Sequence, residues 1–272
     1  MVVQHNMQAV NTNRMLGTNV KAVAKATEKL SSGYAVNRAA DDAAGLSISE
    51  KMRNQIRGIN QAVKNSEDGV SLIQTAEGNM NEIHSILQRM GELATKAAND
   101  VNATEDRTAI ADEMDQLRQE IDSIASKAAF NGTKLLTGSF SNKNLQVGAN
   151  AGENMTISIA KMTASGLGIT AASTKVSSHS SASSAMTAIS SAIKNVSAQR
   201  SKLGAIQNRL DYTINNLENY SENLTSAEST IRDTDMASEM TNYTKNNILQ
   251  QAAQSMLAQA NQSTQGVLSL LG

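Results

Sequence analysis

Residues 189–231, ISSAIKNVSAQRSKLGAIQNRLDYTINNLENYSENLTSAESTI, decide the fold. Ile189, Val196, Leu203, Leu210, Leu217, Leu224 and Ile231 recur at a spacing of seven throughout. Ala192, Ile206, Tyr220 and Ala227 follow members of that row by three and fill the other side of the same seam. This is the spacing of a helix that buries one stripe in a coiled coil or bundle. Gln199 and Thr213 interrupt the second row, which predicts that the seam meets a bundle rather than one identical helix.

Downstream, Arg232-Asp233-Thr234-Asp235 is a polar joint, and Ile248 to Gly272 (ILQQAAQSMLAQANQSTQGVLSLLG) follows without a single charged residue. Leu249, Ala253, Met256, Ala260, Thr264, Val267 and Leu271 step by three and four along it, which predicts a helix with one apolar stripe. Such a helix takes its stability from packing and so needs a partner. It is too polar to be a membrane span, which needs about 18 consecutive apolar residues. At the other end of the chain, Val3, Met7, Val10, Leu16, Val20, Val23, Thr27 and Leu30 carry the same spacing. Two uncharged stripes at the two ends point to a subunit that polymerises. The alternative is a pair of helices closing an ordinary bundle.

Between these ends the pattern is nested. A turn-rich joint covers Ser31 to Asp42, where Asp41 and Asp42 read as helix-capping carboxylates rather than metal ligands. From Gly45 to about Asn99, Met52, Ile56, Ile59, Val63, Ser66, Val70 and Ile73 alternate four and three, and Ala76, Met80, Ile83, Leu87, Met90, Ala94 and Ala97 resume after one short step. That step reads as a stammer in a left-handed coiled coil. Gly58, Gly69, Gly78 and Gly91 weaken this helix, and close approach of a neighbouring helix would compensate. Thr104 is the expected cap of a second, shorter helix along Ile110, Met114, Leu117, Ile121, Ile124 and Ala128, which ends at the turn Asn131-Gly132.

From Thr133 to about Thr174 the period falls to two, clearest in Thr156-Ile157-Ser158-Ile159, which predicts one or two small β-hairpins. Ala172 to Ser184 is Ser-rich and expected to face solvent. The fold class is therefore mainly α: a long coiled-coil-like bundle, a small β-hairpin region at its tip, and paired terminal helices. Two domains are expected, 1–44 with 232–272, and 45–231 with the excursion at about 133–184.

The composition agrees. The 272 residues include no Pro, no Cys and no Trp, and only 2% are aromatic, which favours long unbroken helices. A net charge of −1 leaves no electrostatic footprint for nucleic acid or an anionic membrane. Thiol catalysis and Cys-ligated metal are excluded. His5, His84 and His179 fall in separate segments, and neither a metal, a phosphate-loop nor a dinucleotide motif occurs. No cofactor, no metal and no enzymatic activity are expected. The beginning MVVQHNMQAVN carries no cleavable-signal pattern.

Five blocks then carry a resemblance: EKLSSGYAVNRAADDAAGLSISEKMRNQIRG (28–58), NSEDGVSLIQTAEGNMNEIHSILQRM (65–90), AAFNGTKLL (128–136), LGAIQNRLDYTINNL (203–217) and SMLAQANQSTQGVLSLL (255–271). Together, in this order, they resemble bacterial flagellin, leaving only about Ser141 to Ser184 unmatched. The resemblance implies a subunit of the flagellar filament, exported by the flagellar type III pathway, with the paired termini lining the inner tube. The polymerisation residues would be Val3, Met7, Val10, Leu249, Met256, Val267 and Leu271. The implied partners are further copies of the chain, a flagellin export chaperone, hook-associated and cap proteins, and a host Toll-like receptor.

The family segment read by that receptor matches Leu87, Gln88, Arg89, Glu92, Leu93 and Ala94, with Glu113 facing it. The recognition residues would be Arg89, Leu93 and Glu113. The chain departs from the family at Gly91, where an arginine is usual. A hook–filament junction protein and a cytoplasmic coiled-coil scaffold are the rival readings.

Overall fold

The computed structural model describes residues 6–271, with side chains described for 6–263. In chain order it has α1 (Met7–Ser32), α2 (Ala43–Ala97), α3 (Thr104–Lys127), β1 (Ala129–Phe130), β2 (Thr133–Lys134), β3 (Lys143–Gln146), β4 (Asn154–Ile157), α4 (His179–Arg232) and α5 (Met236–Leu271). The chain forms two compact units, one of residues up to Asn54 and from Glu222, the other from Gln55 to Ser221. The division falls inside α2 and α4, not at the polar joints expected to mark it. Both long helices run through their joint-proximal turns without a break, and Arg53 stands 4.0 Å from Glu228 on the terminal side of the division.

Each helix start has a local chemical cause. Asn6 caps α1 by accepting from Ala9 N at 3.0 Å. Asp42 caps α2, its Oδ1 accepting from Ala44 N at 3.0 Å and Gly45 N at 2.9 Å, as the sequence predicts. Asp41, expected to cap as well, instead accepts from Arg38 N and pairs with Lys25. Asp235 does the same for α5, accepting from Ala237 N and Ser238 N. The α3 start differs from expectation. Thr104 is already helical, and the Asp106 carboxylate instead accepts from Ala103 N at 3.2 Å. An acidic side chain inside the first turn also complements the helix dipole.

The unit from Gln55 to Ser221 is built on one apolar core. Ile73, Met80, Ile83, Leu87 and Met90 of α2, Met114 and Ile121 of α3, and Ile189, Val196, Leu203 and Leu210 of α4 are all buried in it. Each such side chain taken out of water contributes roughly 1.5–3 kcal/mol, so this seam rests mainly on aliphatic and Met side chains, with Phe140 the one aromatic residue buried in the core. The α4 heptad row changes character along its length: Leu203 and Leu210 are buried, whereas Leu217 is only half-buried.

The middle segment forms two antiparallel hairpins, β1–β2 and β3–β4. The first turns through Asn131 and Gly132, both left-handed at φ 47° and 76°, the geometry of a two-residue hairpin turn. The second pairs Lys143 with Ile157 and Gln146 with Asn154. Met155, Ile157 and Ile159 are buried while Thr156 and Ser158 are exposed, which matches the period of two.

This segment packs along the helices rather than projecting beyond them. Leu135, Leu136, Met162, Leu167, Ile169 and Val176 join the main core. Asn65 donates to Gln146 O at 3.2 Å, Gln199 to Ser158 O at 3.2 Å, and Ala164 N to Asp122 Oδ1 at 2.9 Å. The Ser-rich run is likewise only partly exposed, because Thr174, Val176 and Ala182 are buried among the serines.

The helix glycines divide into two kinds. A Cβ on Gly58 would stand 2.9 Å from Ala149 Cβ, so close approach does explain it, but the neighbour is the hairpin loop and not a helix. Gly69 is crowded by Leu145 and, across the seam, by Leu210. Gly78 has nothing within 4 Å, and Gly91 only Ile189 at 3.8 Å. Close helix approach within the chain therefore does not account for these two.

In the terminal unit α1 packs against α5. Ala26 of α1 and Ala253 and Ala260 of α5 are buried, and Leu16, Val23, Leu30 and Leu257 are half-buried. Small residues at the contact let two helices approach closely. The two polar joints meet each other. Ala35 N donates to Arg232 O at 2.7 Å, and Thr234 N to Gly33 O at 2.9 Å, around an antiparallel bridge between Tyr34 and Asp233. Gly33 makes this possible: it ends α1 in the left-handed region at φ 76° with its N–H on Lys29 O.

Candidate functional site

The terminal pair leaves much of its apolar surface uncovered. Residues on one side of α1, Leu16, Val23, Ala26 and Leu30, turn toward α5. Met7, Val10, Met15 and Val20 lie off that row and are exposed. On α5 the packed row runs through Ala253, Leu257 and Ala260. Leu249, Met256, Ile248, Met236 and Met240 are exposed.

The stripe read from sequence is therefore split. Its alanine edge, Ala253 and Ala260, is used inside the molecule, and its larger members Leu249 and Met256 are left outside. Of the residues expected to mediate polymerisation, Met7, Val10, Leu249 and Met256 are on the surface. Val3, and the side chains of Val267 and Leu271, lie outside the described residues.

Val20, part of the stripe read from sequence, is exposed as well, and so are Met15, Met236, Met240 and Ile248, which were not singled out from sequence. Their signal was present: a helix with one partner needs one apolar face, and these apolar residues fall off it. A cleft of about 340 Å³ between the two helices is lined by Gln8, Asn11, Thr12, Met256, Gln259, Ala260 and Ser263. Its walls are mostly amide and hydroxyl groups, without a charged side chain.

Among the described residues, no group of three or more His, Asp or Glu side chains is placed to hold a metal. No helix among them is long and apolar enough to cross a membrane.

A second region is the Arg89 surface in the unit from Gln55 to Ser221. Arg89 Nη2 donates to Glu113 Oε1 at 2.9 Å, its Nε to the same oxygen at 3.1 Å, and its Nη1 to Glu92 Oε2 at 3.2 Å. The Glu113 hydrogen bond, then that of Glu92, raises the guanidinium pKa above its ordinary value. Arg89, Glu92 and Glu113 are thus an exposed triad spanning α2 and α3. Leu93 does not join them. It is 3% exposed and part of the core, one helical turn after Met90. Leu87 and Ala94 are likewise buried, and Gln88 is exposed. Any contact with a partner in this region falls to the polar residues.

Long helices, a terminal pair with apolar side chains left exposed and no metal-holding cluster among the described residues fit a structural protein. The comparisons agree. The bacterial flagellin N-terminal helical region matches residues 3–141, and the bacterial flagellin C-terminal helical region matches residues 186–271. The chain is 53% identical over 271 residues to a flagellin of Halalkalibacterium halodurans, covering 100% of both chains. It is 48% identical to a flagellin of Bacillus subtilis and 46% identical to a flagellar filament core protein of Treponema maltophilum, again over 100% of each.

The crystal structure of Bacillus cereus flagellin covers 57% of this chain and 88% of its own, with a TM-score of 0.51 and 31% identity. A putative flagellar hook-associated protein of Vibrio parahaemolyticus shares the fold at a TM-score of 0.60, over 71% of this chain and 100% of its own, but only 16% of the sequence.

The chain belongs to the bacterial flagellin family. It is a structural subunit of the flagellar filament, which lies outside the cell and is a polymer of such subunits.

Proposed function

We propose that growth of the filament runs through the uncovered side of the α1–α5 pair, with Met7, Val10, Leu249 and Met256 contacting neighbouring copies. Val3, Val267 and Leu271 are assigned the same role on their sequence spacing alone. The observation that carries this reading is the exposed apolar set on two helices that already have each other as partners. Apolar surface in excess of the internal seam is the mark of an interaction site. Burying one such side chain in a neighbour stabilises the contact by roughly 1.5–3 kcal/mol, and an unpaired carboxylate in its place costs several kcal/mol.

The test is Val10→Asp. Electron microscopy of purified subunit under assembly conditions should show no filaments, while circular dichroism shows an unchanged helical monomer. Normal filaments from this variant would refute the reading.

The remaining roles follow from family membership. The subunit leaves the cell by the flagellar type III pathway, with an export chaperone covering the charge-free part of α5 until assembly. Hook-associated and cap proteins adjoin the two ends of the polymer. The exposed Arg89, Glu92 and Glu113 triad is the surface offered to a host Toll-like receptor, with Leu93 supporting it from beneath. Arg89→Ala should lower receptor signalling severalfold, and Gly91→Arg, which restores the family's usual side chain, should raise it. A receptor reporter assay that finds both variants equal to the parent would dismiss this role.

A further inference from the structure

The methionines are sorted by location in a way that filament formation alone does not call for. Met80, Met90 and Met114, in the Gln55–Ser221 unit, are 0% exposed, and Met155 and Met162 are buried with them. In the terminal unit the order is reversed, with half-buried Met52 the exception there and exposed Met186 the exception in the other unit. Met7, Met15, Met236, Met240 and Met256 are all exposed, from 47% at Met236 to 71% at Met7. The chain has no cysteine, so these thioethers are the sulfur that an oxidant in solution meets first. Leucine or valine would fill an apolar contact equally well without being oxidisable.

We propose that the terminal pair carries a methionine-oxidation site that controls assembly. A hydroperoxide converts Met7, Met15, Met236, Met240 and Met256 to sulfoxides in the free subunit, and the oxidised subunit does not join the filament. The thioether sulfur attacks the nearer peroxide oxygen. An S–O bond forms, the O–O bond breaks, and the departing oxygen takes up the proton and leaves as water or an alcohol. Sulfur loses two electrons and the peroxide gains them. Reduction of the sulfoxide by a methionine sulfoxide reductase restores the thioether.

The physical effect follows from the side chain's new dipole. A thioether is a flexible apolar filler. A sulfoxide oxygen is a strong acceptor that must keep a donor when water is excluded, and leaving it unpaired is unfavourable. Around Met256, the stretch Ile248 to Gly272 holds no charged donor, so a sulfoxide there would compete for the neutral amides and hydroxyls of the cleft. The internal seam is largely spared, because it runs through Leu16, Val23, Ala26, Ala253 and Ala260, and of the five methionines Met256 alone lines the cleft at its edge. Oxidation therefore acts on association and leaves the folded subunit intact. Once the filament has formed, the same sulfurs are covered. This inference rests on the proposed role of the α1–α5 surface.

The experiment treats full-length monomer and preformed filament with hydrogen peroxide, quenches the peroxide, and maps added oxygen by peptide mass spectrometry. Elongation from seeds is then measured. The five methionines should be oxidised in monomer and at least about tenfold more slowly in filament, with Met80, Met90 and Met114 unmodified in both. Elongation by treated monomer should fall at least about tenfold, with helicity unchanged, and recover after sulfoxide reductase. A chain with all five replaced by leucine, compared with its own untreated control, should lose nothing on peroxide treatment.

Full oxidation of the five with normal elongation would overturn the proposal. So would a loss that reductase does not reverse, or one that persists in the leucine chain, where exposed Met186 remains. The Val10→Asp variant keeps the two readings apart. If it fails to grow while oxidised monomer elongates normally, only the oxidation switch is lost. If it grows normally, the assembly surface itself is misplaced.

Discussion

Asn6 Nδ2 donates to the carbonyl oxygen of Ala260 at 2.9 Å, while Oδ1 of the same amide accepts from Ala9 N at 3.0 Å. One side chain therefore starts the first helix and ties it to the last. The two functions separate by substitution. Asn6→Asp keeps the capping acceptor and loses the donor, whereas Asn6→Ala loses both. The cap contributes about 1 kcal/mol and the hydrogen bond to Ala260 another 0.5–1.5 kcal/mol, as is typical of such bonds. Hydrogen exchange should show Asn6→Asp loosening α5 around Ala260 while amides at Ala9 and Val10 stay protected. Asn6→Ala should release both regions. Equal loss of the Ala9 amide in the two variants would contradict this division.

Helix glycines give a prediction of opposite signs. Gly78 meets nothing within 4 Å, so Gly78→Ala should stabilise the helix, by up to about 1 kcal/mol. Gly58→Ala should destabilise the same unit, because its Cβ would stand 2.9 Å from Ala149 Cβ and 3.3 Å from the Ala149 backbone. Chemical denaturation of the two variants checks the pair. The same sign for both would mean that packing around these glycines is not what sets their energies.

Leu93 provides a test of burial against recognition. It is 3% exposed in the main core, so Leu93→Ala should destabilise the fold by about 2–5 kcal/mol through the cavity it leaves. Arg89→Ala should cost little, since exposed ion pairs contribute about 0–1 kcal/mol. Any receptor deficit of the Leu93 variant should disappear below its melting transition, whereas that of Arg89→Ala should persist at all temperatures.

The joint has a pH dependence on its acid side. Lys25 Nζ lies 2.8 Å from Asp41 Oδ1. The Lys25 hydrogen bond, then that from the Arg38 backbone, holds the Asp41 carboxyl below the usual carboxylate range, and the same contact raises the Lys25 ammonium. A lowered carboxyl contributes stability that is present above its unfolded pKa and lost as pH falls through its folded one. A raised ammonium contributes fully below its unfolded pKa and is lost as pH climbs through its folded one, in strong alkali.

The joint should therefore loosen below about pH 4, near the reference carboxylate value, and hold through neutrality. Lys25 is solvent-exposed and the Asp41 carboxylate partly so, so the effect is small and weakens with salt. NMR titration of the joint amides should show this acid step, and Asp41→Asn should remove it. An identical acid step in wild type and variant would assign it to another group.

Periodicity carried most of the architecture, and its failures have physical causes. Seven equally spaced residues from Ile189 to Ile231 predict one continuous helix, and α4 is one. Yet Leu210 is buried and Leu217 only half-buried, because a repeat marks a stripe without naming what covers it. The α5 stripe placed Ala253 and Met256 together, but they separate. Close helix contact selects the small alanine edge and leaves the bulky edge outside.

The serines of 172–184 concealed Thr174, Val176 and Ala182, since single apolar anchors have no period to detect. At the Arg89 surface, the heptad neighbours Met90 and Ala94 already implied that Leu93 turns inward, whereas the partner carboxylates Glu92 and Glu113 needed the fold to be seen together.

Pairing the first helix with the last has a consequence for the order in which the molecule forms. Residues 55–221 are contiguous and hold their core without help from either end. Ser221 donating to Asn60 Oδ1 at 2.9 Å keeps the two places where the chain leaves that unit side by side. What then remains to be closed is two arms of about fifty residues each. Their closure costs less than that of a free loop through the whole chain, by about 1 kcal/mol, because the cost grows only with the logarithm of length. The middle thus folds early, and the α1–α5 pair, whose contacts are the most distant in sequence, forms late. A nascent or clipped chain that lacks α5 leaves the inner row of α1 bare and cannot present the finished pair. On the proposed assembly role of the α1–α5 pair, the nested topology works as a completeness check: a subunit becomes fit to join only after both of these helices have been made.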